Sequence, residues 1–111
     1  MPPSRIDLLK AFIAQRPADP FPHYGLALEY KNAGRLAEAR ETFAALMDAH
    51  PTYTAAYLHA GNTLVALGLP DEARAVYTRG VQACVGAGDG HARGELEGAL
   101  AALPAPDASS R

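Results

Sequence analysis

Apolar residues return along the chain at intervals of three and four, the spacing that lines one face of an α-helix. "SRIDLLKAFIAQRP" places Ile6, Leu9, Phe12 and Ile13 on such a face, with Ser4 positioned to cap the first turn. "PFPHYGLALEYKNAG" repeats the plan with Tyr24, Ala27, Tyr30 and Ala33. Pro20 and Pro22 suit its start, where a missing N–H costs little, and Gly34 can adopt the left-handed conformation that ends a helix. A third stripe, Leu36, Ala39, Phe43, Leu46 and Met47, predicts a helix from about Leu36 to Ala49, stopped by Pro51. A fourth, from about Thr54 to Leu67, buries Tyr57, Ala60, Gly61, Leu64 and Leu67 and ends at Gly68. Pro70 opens a fifth, to about Val85, with Ala73, Val76, Tyr77 and Val81 inward. "GAGDG" then reads as a flexible break, after which Asp89 caps a last helix carrying Leu96, Leu100 and Leu103. The pattern predicts an all-α chain of about six helices.

These helices are not independent. "GRLAEARETF", Gly34 to Phe43, returns as "GLPDEARAVY", Gly68 to Tyr77, at an offset of 34 residues. The offset pairs Glu38 with Glu72, Ala39 with Ala73, Arg40 with Arg74 and Phe43 with Tyr77. Carried backwards, it pairs Phe43 with Leu9 and Pro51 with Pro17, so the first helix matches only the second half of a unit. A glycine, an alanine, an aromatic ring and a proline sharing one offset mark an internal repeat.

At those positions the chain resembles the tetratricopeptide repeat family, whose unit of 34 residues folds as helix–turn–helix. Leu26, Ala27, Tyr30, Ala39, Phe43 and Pro51 match the family pattern in register, with His23 in place of tryptophan. In the next unit Tyr57, Gly61, Ala73 and Tyr77 match, and Ala60 and Leu64 are tolerated variants. Gly80 stands at a usual alanine site and Val85 replaces the terminal proline, while Leu9, Phe12 and Pro17 align with a second helix only. The resemblance spans about Ser4 to Val85. It implies a short right-handed α-solenoid of antiparallel helix pairs, in which small residues at Ala27 and Gly61 allow close approach and Phe43 and Tyr77 fill the space between layers. The expected organisation is one helical domain, 4–103. It contains a half-repeat helix at 4–17, repeats at 20–53 and 54–87, and a capping helix at 89–103. A disordered tail, 104–111, follows.

Composition narrows the role. A hydrophobic share of 49% and a charged share of 20% suit a globular fold. A net charge of −2 supplies no electrostatic attraction for nucleic acid. The single cysteine, Cys84, cannot form an internal disulfide or build a zinc cluster alone. The start "MPPSRIDLLK" lacks the apolar core of a secretory signal, and no later run approaches membrane-spanning length, so cytoplasmic residence is expected.

No reacting constellation emerges. Ser4, Ser109 and Ser110 lie near the ends, and Cys84 sits in an apolar run suited to an inert buried thiol. His91, seven residues beyond Cys84, lies across the glycine-rich break. The four histidines include no i, i+4 pair, so no metal site is expected, nor any cofactor. His23 is expected to fill the tryptophan space and His50 to face carbonyls at a helix end. Arg35, Glu38, Arg40, Glu41, Asp71, Glu72, Arg74 and Arg79 mix both signs and are expected on a solvated convex face. The first helix, with Arg5, Lys10 and Arg16 beside apolar residues, could meet a membrane surface, but its register with the repeat favours core packing.

What remains is a surface. Tyr24, Leu28 and Lys31 share one helical stripe, as do Leu58, Asn62 and Val65. The resemblance places these on the concave side, with Phe21 and Asn32 from the first unit and Ala55 and Ala66 from the second. It implies a non-catalytic module that receives a peptide or helix of a partner protein. The alternative is a self-associating structural protein, a homodimer through the groove or the last helix. A subgroup of the family grips a terminal carboxylate with lysine, asparagine and arginine. Here Tyr24, Leu28 and His59 stand at such places and only Asn62 fits, which disfavours that mode.

Overall fold

The computed structural model describes residues 2–106 and forms six α-helices, with no strand among the described residues. In chain order these are α1 (Arg5–Gln15), α2 (Pro20–Asn32), α3 (Leu36–Ala49), α4 (Ala55–Ala66), α5 (Pro70–Ala87) and α6 (Gly90–Ala102). Each packs on its sequence neighbour, and contacts between α2 and α4 and between α4 and α6 set the first helices side by side. The result is an elongated stack of 51 × 31 × 20 Å.

The boundaries follow from local chemistry. Ser4 Oγ accepts from Asp7 N–H, Asp19 Oδ1 from Phe21 N–H and Asp89 Oδ1 from Ala92 N–H, capping α1, α2 and α6. Gly34 and Gly68 take φ of 77° and 78°. Behind them Arg35 N–H bonds to Tyr30 O and Leu69 N–H to Leu64 O, the six-to-one closure of a left-handed helix end. The equivalent end of α5 departs from the repeat. Val85 stands where a proline would stop the helix, so α5 runs on to Ala87 and closes at Gly88, with Asp89 N–H bonded to Cys84 O. Gly86 and Ala87 are therefore helical, and only Gly88 and Asp89 turn the chain where "GAGDG" suggested a longer break.

The core runs along the seam between hairpins. Phe43 and Tyr77, equivalent by the repeat, are 1% and 2% exposed, and the small residues Ala27 and Gly61 are buried as well. A Cβ on Gly61 would stand 2.1 Å from the Tyr77 ring, so a hydrogen is what lets α4 and α5 close. A Cβ on Gly80 would meet Tyr57 Cβ at 2.5 Å and Leu96 Cδ1 at 2.9 Å, which brings α6 onto the same seam. Tyr57 occupies the tryptophan position with its ring buried and its hydroxyl donating to Pro51 O at 2.6 Å. The repeated charges also meet: Arg40 of the first hairpin pairs with Glu72 of the second across a half-exposed surface. Such a pair contributes at most about 1 kcal/mol.

Some expected inward residues face elsewhere. Ala33 is exposed because it lies in the turn before Gly34, and Leu67 is half-buried for the same reason before Gly68. Val76 and Val81 are half-buried, and the fully inward stripe of α5 is Ala73, Tyr77, Gly80 and Cys84. The largest difference is in α1, which contains no buried residue: Ile6, Leu9 and Ile13 pack on α2, whereas Phe12 is 55% exposed. A helix with a neighbour on one side buries one side only. Arg74 donates to Pro104 O beyond α6; residues 107–111 of the expected tail lie outside the described residues.

Candidate functional site

The stripes of α2 and α4 lie beside each other through the contact between those helices. Tyr24, Leu28, Lys31 and Leu58 are half-buried, with Tyr24, Leu28 and Leu58 packed on the core. Tyr24 is held by aromatic neighbours from two elements. Its ring centroid lies 5.4 Å from that of Tyr53, in the turn before α4, and 5.9 Å from that of His59, which meets it edge-on. Tyr24 thus joins α2 to α4 and to the turn before it in an aromatic cluster, on the helices that carry Leu28 and Leu58.

Its electrostatics favour neutral rings. Burial, followed by the charge of Lys31, pushes the His59 imidazole below its ordinary pKa, against a smaller opposing effect of Glu95 from α6. His59 Nδ1 is buried without a hydrogen-bond partner among the described residues, which also disfavours a proton there. Burial raises the Tyr24 and Tyr53 hydroxyls, so both rings stay un-ionised at neutral pH. Lys31 and Glu95 give the neutral floor one positive and one negative neighbour.

Three expected groove residues have other engagements. Asn62 Oδ1 accepts from the Tyr77 hydroxyl at 2.5 Å, so part of its hydrogen-bonding capacity holds the seam. Asn62 and the exposed Val65 line a shallow recess of about 320 Å³ with Ala99, Ala102 and Leu103, so α6 borders the α4 stripe. Phe21 is 68% exposed and lines a separate cleft with Leu9 and Phe12, away from Tyr24 and Leu28. Asn32, Ala55 and Ala66 are exposed at helix ends.

Sequence reasoning names neither Tyr53 nor Glu95, and sets His59 in the groove only as a residue standing where a carboxylate-gripping relative would carry arginine. Tyr53 lies in a turn, outside any helical stripe. Glu95 belongs to the capping helix, where the repeat register lapses. The remaining candidates show no reacting geometry: Cys84 is 1% exposed with its thiol pushed up by burial, and His91 is exposed on α6, 3.4 Å from Glu95. His23 Nε2 lies 2.9 Å from Pro17 O, a bond that ties α2 to the turn before it. Among the described residues no group of three His, Cys, Asp or Glu side chains is placed to hold a metal ion. No described helix is long and apolar enough to cross a membrane.

The same architecture recurs in known proteins. A tetratricopeptide repeat model matches residues 30–83. The crystal and solution NMR structures of a tetratricopeptide repeat domain protein from Salinibacter ruber are each 29% identical to this chain and cover 75% of it. They match over 92% and 84% of their own length, with TM-scores of 0.71 and 0.72. A solution structure of a protein from Bordetella parapertussis, 26% identical, covers 90% of this chain and 87% of its own, with a TM-score of 0.77. No functionally curated protein matches the chain. The repeat register, the helix-pair stack and the matched segment give this chain the tetratricopeptide repeat fold. Domains of this family are in general protein–protein interaction modules.

Proposed function

We propose that the chain is a non-catalytic module that receives a peptide or helical segment of another protein on the face formed by α2 and α4 and bordered by α6. The carrying observation is the Tyr24–Tyr53–His59 cluster, in which the Tyr24 ring of α2 packs on Tyr53 from the turn and meets His59 of α4 edge-on, on the two helices that also carry Leu28 and Leu58. Rings already fixed by their neighbours lose little freedom when a partner arrives, so more of the contact energy appears as affinity. Leu28 and Leu58 supply apolar anchors, Val65 extends the surface, and Lys31 offers a charge-assisted contact at one side.

Selection of random peptides on the immobilised protein tests this reading. Selected peptides should lose at least about tenfold in affinity for Leu58→Asp while the variant keeps its helical circular dichroism. Peptides that bind the variant equally well, or a wild-type dimer in light scattering that Leu58→Asp dissociates, would contradict it. The dimer result would instead assign this face to a second copy.

A further inference from the structure

We propose that the face formed by α2, α4 and α6 receives its partner segment in one orientation only, the segment carrying an acidic side chain at one end of an apolar run and a basic side chain at the other. This rests on the function proposed for that face and adds the charge and direction of what it takes. α4 touches α2 on one side and α6 on the other. Its sequence, AAYLHAGNTLVA, contains no acidic, lysine or arginine side chain, so the middle of the face is uncharged while His59 is neutral. An uncharged strip cannot sense direction. The helices beside it can.

The two flanks carry opposite signs. On α2, Lys31 continues the stripe of Tyr24 and Leu28, is half-buried, and makes no ion pair among the described residues. Glu29 of the same helix is held by Arg5 of α1 at 2.7 Å. On α6, Glu95 stands one turn before Ala99, which lines the recess with Asn62 and Val65. His59 stands one turn before Asn62 in the same way, so helical spacing sets Glu95 beside His59. The Glu95 side chain is half-exposed, with His91 of its own helix 3.4 Å away, and Arg93 and Glu97 pair with each other. The two charges meet at the ring between them: beyond the effect of burial, Lys31 lowers the His59 pKa and Glu95 raises it. Asp19 and Asp89, at the starts of α2 and α6, are engaged as caps.

A segment that sets its acidic side chain at Lys31 and its basic side chain at Glu95 meets an opposite charge at each end. Turned end for end, it meets a like charge at each, and such juxtaposition suppresses the wrong arrangement. The apolar run between the charges covers Leu28 and Leu58, both half-buried. A second copy fits less well. First helices line the concave side of such a stack, so two copies face to face touch at their edges. The centre, with its recess of about 320 Å³ at Asn62 and Val65, would stay unfilled, whereas a slender segment can enter it.

The test takes a random peptide selected on the full chain and resynthesises it with its acidic and basic residues exchanged. Selected peptides should carry both signs. The exchange should weaken binding to the wild type at least about fivefold and strengthen binding to the double variant Lys31→Glu, Glu95→Lys by a similar factor, both differences shrinking in high salt. Peptides that depend on Leu58 yet bind equally well in both versions, or that carry one sign or none, would overturn this inference and leave the proposed function of the face standing. Peptides indifferent to Leu58→Asp, no enrichment at all, or a wild-type dimer dissociated by Leu58→Asp would overturn both. Circular dichroism confirms that each variant is folded. Lys31→Gln and Glu95→Gln, which introduce no like charges, provide a second reading: each should weaken the original peptide and strengthen the exchanged one, and the opposite result would overturn the inference.

Discussion

At the carboxy-terminal end of the stack Leu96 is fully buried, with its Cδ1 pressed toward the Gly80 backbone and the Tyr57 side chain. At the amino-terminal end α1 buries no residue, and Phe12 lies more than half in water. Both end helices are amphipathic and both are capped by a side chain. The difference lies in what adjoins them. The helix before α6 offers a glycine into which a leucine fits, and the outward surface of α6 carries the Arg93–Glu97 pair. The helix after α1 covers one side of it only. Burial here belongs to the position within the stack, and the same register position changes from core to surface when a neighbour is removed. Fully burying a phenylalanine contributes about 1.5–3 kcal/mol, which this end leaves unrealised in Phe12.

That contrast can be broken at several points. Phe43→Ala removes a wedge covered on both sides and should cost about 3–5 kcal/mol in urea unfolding. A loss under about 1 kcal/mol would show that the seam does not hold the hairpins together. Leu96→Ala at the closed end should cost about 2–5 kcal/mol by the same measurement, because the contact to Gly80 cannot be refilled.

Acid should loosen the closed end selectively. Hydrogen bonds from Ala92 N–H and the Thr54 hydroxyl hold the Asp89 carboxyl below its ordinary range. Its stabilising effect is present above the unfolded carboxylate range and fades as pH falls through the lower folded value. Amides of α6 should lose protection over that acid window in the wild type, and Asp89→Asn should flatten the dependence. At the open end Phe12→Ala should change unfolding stability by no more than about 0.5 kcal/mol. A larger loss would mean that Phe12 is covered in solution.

The repeat offset made the interior legible. It located Phe43, Tyr77 and Gly61 as partners across a seam, because close packing of identical hairpins allows few residue types at those places. It does not distinguish a position that a neighbouring helix covers from one that none covers among the described residues. Phe12 carries the same apolar signal as Leu46, and only the absence of a covering helix distinguishes them. Replacing a proline by Val85 pointed to a changed helix end, but the extension of α5 to Ala87 depended on where the next left-handed glycine lay. For the candidate surface, spacing points to the stripes of α2 and α4. It missed Tyr53, which a turn delivers, and Glu95, which the cap delivers, since neither position is periodic. Phe21 was assigned to the groove by resemblance, yet its place at the start of α2 turns it toward α1.

Native-state hydrogen exchange compares the two ends within one molecule. Amides of residues 5–15 should exchange well before those of 90–102, because α1 lacks buried side chains while Leu96 anchors α6. Equal protection of the two helices, or earlier exchange of α6, would contradict a stack closed at one end and open at the other.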